Sequence, residues 1–354
     1  ANFKSVLPVV NVFPKSKKSR FDVALFYTGG KDSSYLLYYL SVKLKLNVLA
    51  LTWEIPYISI SARRSIDNAK KMCKNVEFIE RKVNDNDLHK IYSKLYALQE
   101  NTCACPSLAY ILFYPELVSN KVEYFIAGNE PVQLLNLYYN HFAPKAAYNE
   151  NIQKWMNFGI NVGRVLTLRK PLRLGQFHSL MTMRQLVYGD SILKKISGFK
   201  NQLVSDVCTS IKAVPNIIKP LKRAIFSSNI SGNIPAFVQV DLNDITHGNY
   251  DWRLIKELIS KEIGWVGPTE LSKGLHTSCD IEKCKEYSQF IRFYEMKSEM
   301  IPFSAIEISI ASQKGHISME TALEECKNHL GFSLVEVREC KYIHDYLNIK
   351  TTLQ

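Results

Sequence analysis

Apolar and polar positions alternate in two periods over the first 130 residues of the chain. Residues 21–27 (FDVALFY) form a short apolar run with β-branched and aromatic members, which predicts a buried strand. In the following SSYLLYYLSVKLK, Tyr35, Leu36, Tyr39 and Leu40 recur at three- and four-residue intervals, which predicts a helix. The alternation then repeats. Residues 47–53, 76–83 and 121–130 read as strands, and 61–74 and 87–100 as helices, with Ser61 a candidate N-cap. Strands that alternate with helices imply an α/β fold, a parallel twisted sheet with helices on both faces. Ligands of such sheets bind at the carboxyl ends of the strands, near a switch in strand order.

Beyond residue 140 the pattern changes. Residues 141–250 begin aromatic and Asn-rich (LYYNHFAPKAAYNENIQKW) and continue into basic helical stretches broken by Pro171, Pro215 and Pro220, so several short helices are expected. The chain therefore divides into an α/β domain at 1–140, a basic, mainly helical region at 141–250 that is an insertion or a substrate- or partner-facing unit, and a C-terminal region at 251–354. No internal repeat interrupts this order.

Composition narrows the class. With 354 residues, 46% hydrophobic and 11% aromatic, the chain can fill a core and is not disordered. No apolar run reaches the roughly 18 residues of a membrane span, and no signal-peptide pattern opens the sequence, so a cytoplasmic protein with no membrane partner is expected. Its eight cysteines then read as thiols, metal ligands or catalytic groups, not a disulfide framework. The net charge of +12 concentrates in 164–223, where twelve basic residues face two acids, Asp190 and Asp206. Such an excess suits a polyanionic partner, and a solvated basic surface is the alternative.

Between the first strand and the first helix stands TGGKDSS, residues 28–34. Glycine permits positive φ and a close ligand approach, and the first-turn N–H groups of a helix have no intrahelical partner. With hydroxyls on Thr28, Ser33 and Ser34 and a charge on Lys31, the turn suits phosphate or pyrophosphate. Neither GxGxxG nor GxxxxGK[ST] fits. The stretch resembles the PP-loop of the adenine nucleotide alpha-hydrolase superfamily, which includes tRNA-thiolating enzymes, GMP and asparagine synthetases and N-acetyl sugar amidotransferases. Thr28 stands where serine is commoner and keeps the hydroxyl. IAGNEP (126–131), IGWVGPTE (263–270) and the segment from HTSCDIEKCKEY through GHISMETALEE (276–325) are similar to sugar amidotransferase relatives.

The resemblance implies a HUP-like domain that binds ATP with Mg²⁺ through Thr28, Gly29, Gly30, Lys31, Asp32, Ser33 and Ser34. Thr52 and Trp53 would supply backbone contacts to adenine, with Gly128 and Asn129 facing the nucleotide. It further implies an enzyme that adenylates a carbonyl or amide oxygen, releases pyrophosphate, and lets sulfur or nitrogen displace AMP. Lys31 would offset developing charge and Asp32 would orient Mg²⁺ or the loop.

NTCACPS (101–107) lies where several such enzymes carry a C-x-x-C pair, but its spacing is C-x-C. Pro106 followed by SLAYILFY predicts a helix that starts just after the pair, which would lower the pKa of Cys103 or Cys105, suiting a nucleophile, a persulfide carrier or a soft-metal ligand. Two packed thiols without chemistry are the alternative. Cys279 and Cys284, five apart, could join Cys103 and Cys105 in a four-thiolate site for Zn²⁺ or an iron–sulfur cluster. His276 could be a ligand or base, whereas Cys73, Cys208, Cys326 and Cys340 read as core residues. The cysteines favour sulfur insertion and the C-terminal likeness favours nitrogen transfer to a sugar or other small molecule. An ATP-binding regulatory protein without turnover is the rival of another class. Expected partners are a small-molecule or carrier-protein-bound substrate, tRNA, a sulfur or ammonia donor protein, and further copies of the chain in a homo-oligomer.

Overall fold

A computed structural model describes residues 16, 18–54, 58–98, 105–129, 150–173, 176–189, 202–267 and 303–330. Its centre is a parallel sheet of β1 (Val23–Phe26), β2 (Val48–Glu54), β3 (Val76–Lys82), β4 (Tyr124–Asn129) and β5 (Ala236–Asp241), in the order β3-β2-β1-β4-β5. All four neighbouring pairs are parallel. The order reverses between β1 and β4, so the carboxyl ends of these two strands flank the crevice that such sheets use for ligands.

Period-two alternation sends apolar side chains to both faces, as a sheet covered on both sides requires. Ala24, Leu49, Leu51, Trp53 and Phe125 meet α3 (Asp85–Leu98) and α4 (Cys105–Ser119), together with α6 (Gln176–Tyr188), α7 (Gln202–Ile211) and α8 (Pro215–Ser231). Val23, Leu25, Val48, Ala50, Ile126, Val238 and Val240 face the other core, built with α1 (Lys31–Tyr38), α2 (Ile60–Met72) and α10 (Trp252–Ile263). The remaining described helices are α5 (Glu150–Leu166), the single-turn α9 (Leu242–Ile245), α11 (Phe303–Gln313) and α12 (Met319–Leu330). A π-helical turn, Tyr39–Lys43, prolongs α1. Each fully buried Leu, Val or Phe contributes about 1.5–3 kcal/mol, and the central strands consist of little else.

The expected strands and helices of the first 130 residues are present, with ends shifted by a few residues. The N-cap of α2 is Ser59, whose hydroxyl accepts from the Ala62 N–H at 3.2 Å, and not Ser61. Two further differences concern the region expected to be a helical insertion. Its last part, AFVQVD, is β5, paired residue for residue with β4, so the helices of that region lie between two neighbouring strands and the sheet extends past residue 235. Pro220 lies inside α8 instead of ending it. Burial of Ile218, Leu221, Ala224 and Ile225 on one face of α8 holds the helix through the missing N–H. Among the described residues no helix is long and apolar enough to cross a membrane.

Candidate functional site: the β1–α1 turn

The turn after β1 is shaped by one glycine. Gly29 has φ +74°, and a Cβ there would stand 2.4 Å from the Ala62 carbonyl oxygen in the first turn of α2. Both the left-handed backbone and this close approach exclude a side chain. Gly30 differs from the expectation drawn from a glycine pair. It is the N-cap of α1 at φ −73°, ψ 165°, a conformation any residue adopts, so only the first glycine is required by backbone geometry.

Hydroxyls knit the turn. Thr28 Oγ1 and Ser33 Oγ are 3.1 Å apart, and the Ser33 hydroxyl also accepts from the Thr28 N–H at 3.3 Å. Gly30 offers no side chain to cap α1, so the positive end of the helix is not blocked by a capping group from that residue. Thr28 is exposed, and Gly30 and Ser33 are half-buried, which leaves this end of the helix reachable. Ser34, expected among the phosphate-facing hydroxyls, is fully buried and bonds the Tyr27 hydroxyl at 3.4 Å.

Lys31 is the unexpected member. Its side chain is fully buried, and the ammonium donates to Asp32 Oδ1 at 2.7 Å and to Tyr250 Oη at 2.6 Å. The Tyr250 hydroxyl in turn donates to Asp32 Oδ1. Ring faces complete the pocket, with the ammonium 4.8 Å from the Tyr250 centroid and 4.7 Å from that of Trp252. A buried cation is tolerable only when paired and hydrogen-bonded, and here both conditions hold. His316 packs beside Trp252, with ring centroids 6.4 Å apart. Burial holds its pKa below the ordinary histidine value, against the opposing pull of Asp251.

The chain following α10 locks the turn from a second side. The Trp265 indole N–H donates to the Gly29 carbonyl at 3.1 Å. Val266 N–H donates to Ser65 Oγ at 2.9 Å, and Asn68 Nδ2 donates to the Gly264 carbonyl at 2.8 Å. Gly264 ends α10 in the left-handed conformation, φ +71°. Trp265 thus carries the stretch IGWVG (263–267) directly onto the glycine turn.

The other expected residues divide. β2 extends past β1's last paired residue, Phe26, by Thr52, Trp53 and Glu54, which pair with Glu80, Arg81 and Lys82 of β3. The Thr52 hydroxyl is committed to the Tyr27 carbonyl at 2.9 Å. The Trp53 indole is buried in the core under α3 and α4, and its N–H finds no partner among the described residues. A Cβ on Gly128 would meet Leu36 and Leu242 at 3.0 and 3.1 Å, so close packing of α1 and α9 accounts for this glycine. Asn129 ends β4 opposite Asp241. Asp241 caps α9 through the Asn243 N–H at 2.8 Å, and burial raises its pKa.

Cys105 is the first residue of α4, where a helix start was expected. The Cys105 side chain and Cys103, Cys279, Cys284, His276 and Cys340 lie outside the described residues. Among the described residues no cluster of three or more His, Cys, Asp or Glu is placed to hold a metal. Cys73 and Cys208 are buried thiols, and Cys326 is half-buried. In the basic segment, Arg164 is buried against Asn229 and Arg173 is paired with Glu123 at 2.5 Å, so two of the twelve charges serve the fold.

Tyr250, Trp252, Asp241 and His316 were not anticipated. The aromatic cluster NYDWR (249–253) and the strand pattern AFVQVD ending in an acid were the signals that could have found the first three. Compared with models of known protein families and with curated protein sequences, the chain matches none.

Proposed function

We propose that the β1–α1 turn binds the phosphates of ATP and that the protein is an AMP-forming transferase. The observation that carries this reading is Gly29, held left-handed between α2 and Trp265 at the switch point of a parallel sheet, immediately before the uncapped start of α1. Backbone N–H groups there and the Thr28 and Ser33 hydroxyls are the donors an anion requires. ATP with Mg²⁺ would supply the leaving pyrophosphate, with Asp32 as the carboxylate nearest the turn. Lys31 is held ready by Tyr250. Exchanging the tyrosine hydroxyl for a phosphate oxygen replaces a neutral acceptor by a charged one, which strengthens the bond. The remaining requirement of phosphoryl chemistry, positioning and charge stabilisation, is met by a rigid turn with its donors already oriented.

In this reading a substrate carbonyl or amide oxygen attacks the α-phosphate and pyrophosphate leaves. The outer sulfur of a persulfide on one of Cys103 and Cys105 then displaces AMP, and the thiol of the other attacks the S–S bond, releasing the thioamide or thiolated product and leaving a disulfide that an external thiol reduces. Amidotransfer to a sugar or other small molecule is the second reading. It is favoured by the docking of the amidotransferase-like stretch around Trp265 onto the turn. A tRNA or a carrier-bound substrate would meet the basic helices. Incubation with ATP, Mg²⁺ and cell extract should release AMP and pyrophosphate. Formation of neither, with ATP still bound, would leave a regulatory ATP-binding protein. Cys103→Ser combined with Cys105→Ser should abolish turnover if sulfur passes through them and should leave it intact for amidotransfer.

A further inference from the structure

The peptide between Gly29 and Gly30 has no side chain on either side to restrain its orientation. It is trans, so its carbonyl and its N–H point in opposite directions. The carbonyl points inward, where it accepts from the indole N–H of the buried Trp265 at 3.1 Å. The Gly30 N–H therefore points outward, to the exposed side of the turn, and meets the Thr28 hydroxyl oxygen at 3.4 Å. That hydroxyl lies 3.1 Å from Ser33 Oγ. The amide thus faces the same side as the two hydroxyls at the start of α1.

Rotation of this peptide about its flanking bonds would reverse both groups. Between ordinary residues sterics oppose the reversed state, because it carries the second residue to positive φ. Gly30, at φ −73°, has no Cβ to prevent the change. Reversal would offer a phosphate an acceptor in place of a donor. The sequence of the turn leaves that state open, and the indole closes it: reversal would break the bond to Trp265 and leave a buried N–H unpaired. The indole is itself anchored on both sides. Before it, the Gly264 carbonyl accepts from Asn68 Nδ2 at 2.8 Å, and after it, Val266 N–H donates to Ser65 Oγ at 2.9 Å. Its own backbone N–H donates to the Ile259 carbonyl at 3.2 Å. We propose that Trp265 is a positioning residue, which holds the Gly29–Gly30 peptide with its N–H toward the phosphates. The proposal rests on the phosphate reading of the turn, and it adds a residue 236 positions away in sequence that sets the polarity of the turn's backbone.

Trp265→Phe keeps a ring in the pocket and deletes the donor. In the full chain with isotope-labelled glycine, the Gly30 amide should give one sharp magnetic-resonance signal, and in the variant a doubled or exchange-broadened one. Calorimetric titration with pyrophosphate and Mg²⁺ should show affinity falling at least about tenfold, as expected for one hydrogen bond to a charged group. Adding Gly30→Ala to Trp265→Phe should restore a single signal at residue 30, observed with labelled alanine, because alanine disfavours the reversed state. A packing role alone would lower the melting temperature and leave the Gly30 signal and the pyrophosphate affinity unchanged, which would overturn the proposal. Should Trp265→Phe not fold, Ser65→Ala, which releases Val266 and keeps the indole, must broaden the same signal, and a sharp one there would overturn the proposal equally. Absence of pyrophosphate binding by the unaltered chain would remove the ligand, and a sharp Gly30 signal in the variant would remove the lock. Each result contradicts the proposal, and the two are read separately.

Discussion

Trp252, Ile255, Ile259 and Ile263 on α10 and Trp155, Phe158, Val162 and Leu166 on α5 follow one spacing, with steps of three, four and four residues. The first set is buried against α1 and α2, and the second is exposed. What separates them is the polar chemistry around each stripe. Helix α10 is stopped at Asp251 and Gly264, whose carbonyl is held by Asn68, so its apolar face is fixed against α1 and α2. Helix α5 is held by Asn157, Asn161 and Arg164, which satisfy carbonyls of the chain returning after it. A periodic stripe predicts a helix, and the hydrogen bonds of its neighbours decide which side faces in.

Truncation within the two stripes tests this most sharply. Ile259→Ala should cost about 2–5 kcal/mol in denaturant unfolding, whereas Val162→Ala should stay within about 0.5 kcal/mol. Equal losses would show that the α5 stripe is covered. At the turn that α10 braces, Gly29→Ala should cost about 2–4 kcal/mol, through backbone strain and the clash with the Ala62 carbonyl. A smaller loss would mean that α2 can give way.

The sheet was legible because its strands are short apolar runs bounded by glycine and polar turns, and periodicity reports such runs directly. β5 escaped because AFVQVD is short and follows a basic helical stretch, so its pairing with β4 depends on a long-range contact that local pattern does not encode. The glycine turn was legible as a turn, but TGG does not reveal which glycine is left-handed. Gly128 shows the converse: a glycine beside the crevice whose space is taken by Leu36 and Leu242. Lys31 was readable as a charge next to a phosphate-like turn. Its partners were not, since Tyr250 and Trp252 lie more than two hundred residues away in sequence and only the fold brings them to it.

Tyr250→Phe removes the hydroxyl that accepts from Lys31 and donates to Asp32 while keeping the ring, and should cost about 1–3 kcal/mol. A neutral effect would show that the ring alone holds the ammonium. The smallest expected effect belongs to His316. Its folded pKa is lowered, so the unfolded chain takes up the proton first as pH falls. Stability should therefore be full above about pH 6.5 and decline below it toward the depressed folded value. His316→Gln should flatten this part of the urea-midpoint profile, and an unchanged profile would assign the decline to other groups.

The most direct test of phosphate binding at the turn uses Gly30→Val. At φ −73° the substitution introduces no backbone strain, and loss of a favourable N-cap residue costs only about 1 kcal/mol, so the variant should fold. Its β-branched side chain would stand at the start of α1, where we propose that the phosphates bind. Calorimetric titration with ATP and Mg²⁺ should show saturable binding to the unaltered chain and none to the variant. Undiminished ATP affinity in a folded Gly30→Val protein would contradict the assignment of the turn.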